Sequence, residues 1–154
     1  MTATKKKGNT TSLKNRKAYH DYNIIEKFEA GIELMGTEVK SIRANNVSFK
    51  DSFVRIEKGQ AFLVGLHIAK YRMSKFFNHE PVRKRRLLLH KSQIRKLFAK
   101  VSEKGLTIVP LKIYIKHGLI KVEIGLAKGK QLFDKRESIK RKDMAREWKR
   151  KGYS

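Results

Sequence analysis

Five histidines, His20, His67, His79, His90 and His117, are the first candidates for chemistry, because an imidazole binds metals and moves protons near neutral pH. No two of them stand at His-x-x-x-His spacing. The chain has no cysteine, which excludes thiolate zinc sites, iron–sulfur clusters, disulfides and cysteine nucleophiles. Among the acids, Glu26 has the opposite parity to Glu29 and Glu33 in a segment that alternates like a strand. Glu29 and Glu33 would stand roughly 13 Å apart at ~3.3 Å per residue, too far for a carboxylate dyad or a shared metal. Gly-x-Ser-x-Gly, Gly-x-Gly-x-x-Gly and a phosphate-cradling glycine loop are all missing. A ribonuclease built on His20 with His67 is the one enzymatic reading that spacing leaves open. The expectation is therefore a binder with no catalytic residues, no metal, no cofactor and no small-molecule substrate.

What it binds is written in the charge. Lys plus Arg number 38 against 14 Asp plus Glu, a formal +24 over 154 residues. Residues 1–17 carry six basic groups and no acid, residues 131–154 nine basic and four acidic, and residues 18–130 carry 23 against 10. A protein that used only its tails would keep a near-neutral body. A body that is itself basic points to a folded surface facing a polyanion. Charge alone does not separate RNA from DNA or from acidic lipid, and a general tRNA- or rRNA-binding barrel is the alternative to a specialised binder.

The elements that must position these charges follow from periodicity. From Tyr22 to Leu34 the even positions Tyr22, Ile24, Glu26, Phe28, Ala30, Ile32 and Leu34, apolar but for Glu26, alternate with wetter odd ones such as Asn23, Lys27, Glu29 and Glu33, which predicts a long strand with Gly31 as its bend or bulge. A short helix follows with Thr37 as its N-cap and Val39 and Ile42 on one side. Val54 and Ile56 pair with Ala61–Leu66 around Lys58-Gly59. Leu87–Leu89 form another strand, and Ile94, Leu97, Phe98 and Val101 mark a helix from about Lys91 that Gly105 ends. Around a His117-Gly118 turn, the predicted register faces Ile115 with Ile120, Ile113 with Val122, Leu111 with Ile124 and Val109 with Leu126. Its outer pairs, Lys116–Leu119, Tyr114–Lys121 and Lys112–Glu123, offer cations and one stacking ring to solvent.

These elements predict a mainly β fold, an antiparallel barrel of the oligonucleotide-binding type with about three short helices and a disordered basic C-terminal tail. A flat sheet with helices on one face is the alternative. The expected division is a largely disordered arm at 1–17, an RNA-binding body at 18–130 and a tail at 131–154. No apolar run approaches the ~20 residues of a membrane helix, and Met1 to Lys17 has no apolar signal region. The expectation is a cytoplasmic protein, monomeric when free, with no membrane partner. In the tail, Met144 and Trp148 stand four apart among Lys135, Arg136, Lys140, Arg141 and Lys142, too little apolar surface to fold alone. Bound phosphates would neutralise its repulsion, so helix formation on a polyanion is the expectation there.

Several blocks of the chain also carry a resemblance: Lys14-Asn15-Arg16-Lys17-Ala18-Tyr19-His20-Asp21-Tyr22, Phe28-Glu29-Ala30-Gly31-Ile32, Gly36-Thr37-Glu38-Val39-Lys40-Ser41, Asp51-Ser52-Phe53 and Asn78-His79-Glu80-Pro81. They continue with Leu87-Leu88-Leu89-His90-Lys91, Val109-Pro110-Leu111-Lys112, Leu126-Ala127-Lys128-Gly129-Lys130 and Asp134-Lys135-Arg136. In order and in register, from Lys14 to about Glu147, they resemble the SmpB family of tmRNA-binding proteins. The resemblance implies an oligonucleotide-binding-type barrel that binds the tRNA-like domain of tmRNA, brings it to stalled ribosomes for trans-translation and catalyses nothing. It implies tmRNA contacts at Asn15, Arg16, Glu29, Glu38, Lys40, Leu88, Tyr114, Lys121, Lys128 and Lys130. It places a decoding-centre role on Phe133, Asp134, Lys135, Arg136, Lys140, Arg141 and Trp148. Phe133 departs from the Tyr or His common before Asp-Lys-Arg, so it can stack but not hydrogen-bond. Leu88 is equally open to a plain core role on its sequence alone.

Overall fold

A computed structural model of the chain describes residues 12–130. In order these form β1 (Ser12–Lys14), α1 (Arg16–Asp21), β2 (Tyr22–Ile32), α2 (Gly36–Arg43), β3 (Val47–Ser48) and β4 (Phe53–Glu57). β5 (Gln60–Val64), β6 (His67–Ile68), β7 (Arg85–Leu88), α3 (Lys91–Lys104), β8 (Thr107–Lys116) and β9 (Leu119–Gly129) follow. Every strand pairing is antiparallel. Around the barrel the strands run β8-β4-β5-β7-β2-β9, and β9 returns to β8, so the sheet closes on itself. Closure leaves no long edge exposed, and it overturns the flat-sheet alternative. Three helices are present among the described residues, as expected.

The alternation read from the sequence builds the core. Phe28, Ala30, Val54, Ala61, Leu63, Leu87, Ile108, Ile113, Val122, Ile124 and Leu126 are buried together, with Ile42 of α2 and Leu97 of α3 added to the same cluster. Lys58 and Gly59, and again His117 and Gly118, all have positive φ, the geometry of a tight two-residue hairpin turn. Gly105 ends α3 in the left-handed conformation with its N–H on the Val101 carbonyl at 3.1 Å. Phe98, placed on the buried face of that helix from its spacing, is instead about half exposed.

Four local expectations are corrected. The last hairpin keeps the predicted pairs Ile115–Ile120 and Ile113–Val122, but the register slips between Pro110 and Lys112. Leu111 bulges out, Pro110 faces Ile124 and Ile108 faces Leu126. Pro110 has no N–H to give the ladder, which makes this the cheap place for a slip. The bulge turns Leu111 and Val109 outward, where Ala18 of α1 and Ala127 cover them in a second apolar cluster. Strand β2 has its irregularity between Ile24 and Glu26, not at Gly31. The N-cap of helix α2 lies two residues earlier than expected, at Met35: its N–H donates to Glu38 Oε1 at 2.7 Å, while Thr37 turns its hydroxyl to His79. The last part of the arm placed at 1–17 is structured: Ser12–Lys14 pairs with Lys112–Tyr114 of β8 and α1 starts at Arg16.

Candidate nucleic-acid interface

The closed sheet sets up one row of side chains across its outer face. Tyr114 on β8 is the Cα partner of Lys121 on β9, Lys121 is the partner of Gly31 on β2, and Gly31 is the partner of Leu88 on β7. Four neighbouring strands span roughly 14 Å at ~4.8 Å each. Leu88 follows the alternation of β7, in which Arg85 and Leu87 are buried and Arg86 and Leu88 are exposed. At 46% exposure it is a surface leucine, which removes the core reading. Gly31 is the gap in the row: a Cβ there would stand 3.3 Å from Leu88 Cβ, crowding the leucine. Between Lys121 and Leu88 the backbone is therefore open to a close approach.

An open cleft of about 790 Å³ lies on this row, lined by Glu29, Gly31, Leu88 and Lys121 together with Lys58, Gln60, Arg86, Lys91 and Arg95. Three residues that the sequence nominated separately, Glu29, Leu88 and Lys121, thus share one wall. Glu29 is an exposed acid with hydrogen-bond partners on β8. The Tyr114 hydroxyl donates to Glu29 Oε2, and Lys116 Nζ lies 3.3 Å from Oε1. The Tyr114 hydrogen bond, then Lys116 and the charge of Lys121, hold the Glu29 carboxyl below its ordinary value. Tyr114 is pushed the other way, by partial burial and by the carboxylate it serves, so its phenol keeps its proton. Lys112 Nζ sits 5.1 Å from the Tyr114 ring centroid. The result is a fixed ring, a fixed acceptor, several phosphate-seeking cations and an apolar shelf, a set suited to a folded nucleic acid.

The remaining nominated residues go elsewhere. Arg16 lines a second open cleft of about 530 Å³ with Lys14, Asn15, Lys17, Tyr22 and Lys50. Lys128 and Lys130 are exposed at the end of β9, Lys128 across from Asn23, and the Lys130 N–H reaches the Asp21 carbonyl at 2.9 Å. Lys40 is exposed on α2 with its Nζ 5.4 Å from the Tyr71 ring. Asn15 caps α1 rather than facing solvent: its Oδ1 accepts from the Ala18 N–H at 3.3 Å and its Nδ2 donates to the Pro110 carbonyl at 2.7 Å. At 8% exposure with both ends of its amide engaged, it fastens α1 to the β8 bulge and positions Arg16.

Glu38 is the clear correction. It is fully buried, with Arg85 Nε 2.6 Å from Oε2, Arg83 Nη2 2.7 Å from Oε1 and the Met35 N–H on the same carboxylate. Burial pushes its carboxyl up, but the hydrogen bonds from Arg83, the Met35 N–H and Arg85 prevail and hold it below its ordinary value. Arg85, also fully buried, spends its other N–H groups on the Leu66, Arg83 and Pro81 carbonyls. A side chain with no exposed surface touches no RNA. The nominated tail residues Phe133, Asp134, Lys135, Arg136, Lys140, Arg141 and Trp148 lie outside the described residues.

Sequence reasoning missed Arg86, Lys91 and Arg95, which complete the cleft. Arg86 has the parity of Leu88 on β7, and Lys91 and Arg95 stand at i, i+4 at the start of α3, so both signals were in the spacing. Of the histidines proposed for a ribonuclease, His20 sits on α1 with its Nδ1 2.9 Å from Asp21 Oδ1, and His67 pairs with Ser48 in the separate β3–β6 ribbon. No group of three or more His, Asp or Glu among the described residues could hold a metal ion.

A closed six-strand barrel with helices around it and a cationic, ring-bearing outer face defines a nucleic-acid-binding barrel of the oligonucleotide-binding type. The model of the SmpB protein family matches residues 12–153. The chain belongs to the SmpB family. It is 59% identical over 133 residues to the SsrA-binding protein of Carboxydothermus hydrogenoformans, covering 86% of this chain and 89% of that one. It is 51% identical over 150 residues to the SsrA-binding protein of Ligilactobacillus salivarius, covering 97% and 96%. A solved chain described as "tmRNA-SmpB: a journey to the center of the bacterial ribosome" superposes with a TM-score of 0.67 at 54% identity, over 79% of this chain and 85% of that one.

Proposed function

We propose that this protein binds the tRNA-like domain of tmRNA through the Glu29–Leu88–Lys121 cleft and carries it to stalled ribosomes for trans-translation, without catalysing a reaction itself. The observation that carries the reading is that Leu88, Lys121 and Tyr114 stand on one row of the barrel's outer face, with Glu29 beside that row in the same cleft. Lys121 and Arg86 meet phosphates, Leu88 supports an apolar sugar or base face, and Glu29 accepts from base amino groups. Arg16 extends the basic surface to the second cleft, Lys128 and Lys130 to the end of β9, and Lys40 adds a cation on α2. Lys135, Arg136, Lys140 and Arg141, with Phe133, Asp134 and Trp148, supply the ribosome-directed contacts. Its place of action is where ribosomes stall, the cytoplasm, and no described helix is long and apolar enough to cross a membrane.

A competition titration tests this: the full chain on the tRNA-like domain of tmRNA, with bulk tRNA and duplex DNA as competitors across salt. Phosphate contacts alone give a log–log slope of roughly −0.7 to −0.9 each, whatever the sequence. The expected outcome is that tmRNA wins over tRNA by orders of magnitude at low and high salt. Equal competition by tRNA and DNA that vanishes with salt would leave a generic basic binder, and cleavage of RNA during the incubation would restore the histidine ribonuclease.

A further inference from the structure

We propose that the loop joining β6 to β7 is a second RNA contact, one that stacks unpaired bases on Phe76 and Phe77 away from the cleft. It deepens the RNA-binding reading and rests on it. Phe76 is 98% exposed, Met73 73% and Phe77 63%, three large apolar side chains within five residues. A phenyl ring left almost wholly in water forgoes the burial that favours folding, and a cluster of them marks a contact surface. Lys70, Arg72 and Lys75 are interleaved with the apolar side chains and are all exposed, and no acid occurs from His67 to His79.

The loop is presented rather than loose. Asn78 clasps Tyr71 at two points, its Oδ1 accepting from the Tyr71 N–H at 3.1 Å and its Nδ2 donating to the Tyr71 carbonyl at 3.0 Å. Ser74 closes the tip, its N–H on the Tyr71 carbonyl and its hydroxyl on the Phe77 carbonyl. Below the clasp, buried His79 donates from Nε2 to the Ile68 carbonyl and receives the Thr37 hydroxyl at Nδ1, both at 2.8 Å. Ala69 is held from both sides, its N–H on Asn46 and its carbonyl under the Ser41 hydroxyl. Free ring faces on a fixed loop, set among cations, fit unpaired bases of a polynucleotide: each base has a π-face for the ring, and its phosphate meets the neighbouring Lys or Arg. The loop tip contributes nothing to the wall of the large cleft, so the two contacts are separate.

The test uses the full chain and a fluorescent octa-adenylate, which has unpaired bases and no fold to recognise. Two variants are compared, Phe76→Ala with Phe77→Ala, and Phe76→Leu with Phe77→Leu, each checked for an unchanged circular dichroism spectrum. Loss of stacking predicts that both bind octa-adenylate about tenfold more weakly. Parent-like binding by both variants overturns the inference, and so does parent-like binding by the leucine pair alone, since leucine keeps the apolar contact and loses only the ring. Anionic phospholipid vesicles are run beside the RNA, and an alanine pair that loses vesicles but keeps octa-adenylate also overturns it. The tmRNA competition above reads out separately: if tmRNA selectivity fails while the loop variants still lose octa-adenylate, the functional reading falls and the stacking loop stands.

Discussion

Glu29 and Glu38 sit nine residues apart, each facing cations and one further donor, yet they belong to opposite kinds of site. Glu29 stands on the outer face of β2, in reach of Tyr114 and Lys116 and open to an incoming ligand. Glu38 stands in the first turn of α2 with Arg83, Arg85 and the Met35 N–H, and no part of it meets solvent. One carboxylate is held ready as an acceptor. The other joins α2 to the start of β7, and through the Arg85 bonds to Leu66 and Pro81 it joins the two flanking loops as well. An acid near arginines is therefore no guide to an RNA site until its burial is known.

Breaking the buried side gives the largest effect. Glu38→Gln leaves Arg85 charged in the interior without its counter-ion, so stability falls by about 3–5 kcal/mol in chemical denaturation. The same contact gives the parent an acid limb. The Glu38 carboxyl is held below its ordinary 4.5, so its contribution is complete above that value and fades as pH falls through the lower folded one. Glu38→Gln shows a shallower loss of stability over that acidic window.

On the open side the order reverses. Lys121→Ala lowers affinity for the tRNA-like domain of tmRNA by about tenfold, the scale of one charge-assisted contact, with stability within about 0.5 kcal/mol of the parent. Equilibrium binding and denaturation on the same preparation separate the two readouts. Asn15→Ala lies between the two kinds of site. It removes the cap of α1 and the bond to Pro110, so stability falls by about 1 kcal/mol, and RNA affinity falls only through the displaced Arg16. Tyr114→Phe has the smallest effect: without the phenol donor the Glu29 carboxyl rises toward its ordinary 4.5, which a carboxyl NMR titration reads directly.

Much of this was legible in the chain because period two is hard to disguise. Phe28 and Ala30 point inward as their parity requires, and the His117-Gly118 turn fixes the pairs beside it. The register failed farther from the turn, at Leu111, because alternation alone does not reveal that α1 covers the far side of β8 and gives an outward leucine its own apolar partners. Strand β1 was missed for a similar reason: three residues with one apolar member, Leu13, carry too little pattern. Glu29, Leu88, Tyr114 and Lys121, nominated by parity and resemblance together, stand near one another on the outer face, which is as far as the chain's pattern reaches for the proposed site. Glu38 was misplaced because a helix's first turn can point an acid inward or outward. The missed clue lay on β7, where Arg85 shares the parity of buried Leu87 and so must be an interior cation in need of an anion.

On the proposed interface, RNA meets the outer row of the barrel and not the buried ion cluster. Amide chemical-shift mapping of the full chain with the tRNA-like domain of tmRNA tests it most directly. The largest shifts are expected at Glu29, Gly31, Leu88, Tyr114 and Lys121, with Glu38, Arg85 and their neighbours nearly still. Large shifts centred on Glu38 and Arg85, with the Leu88–Lys121 row unmoved, would contradict it.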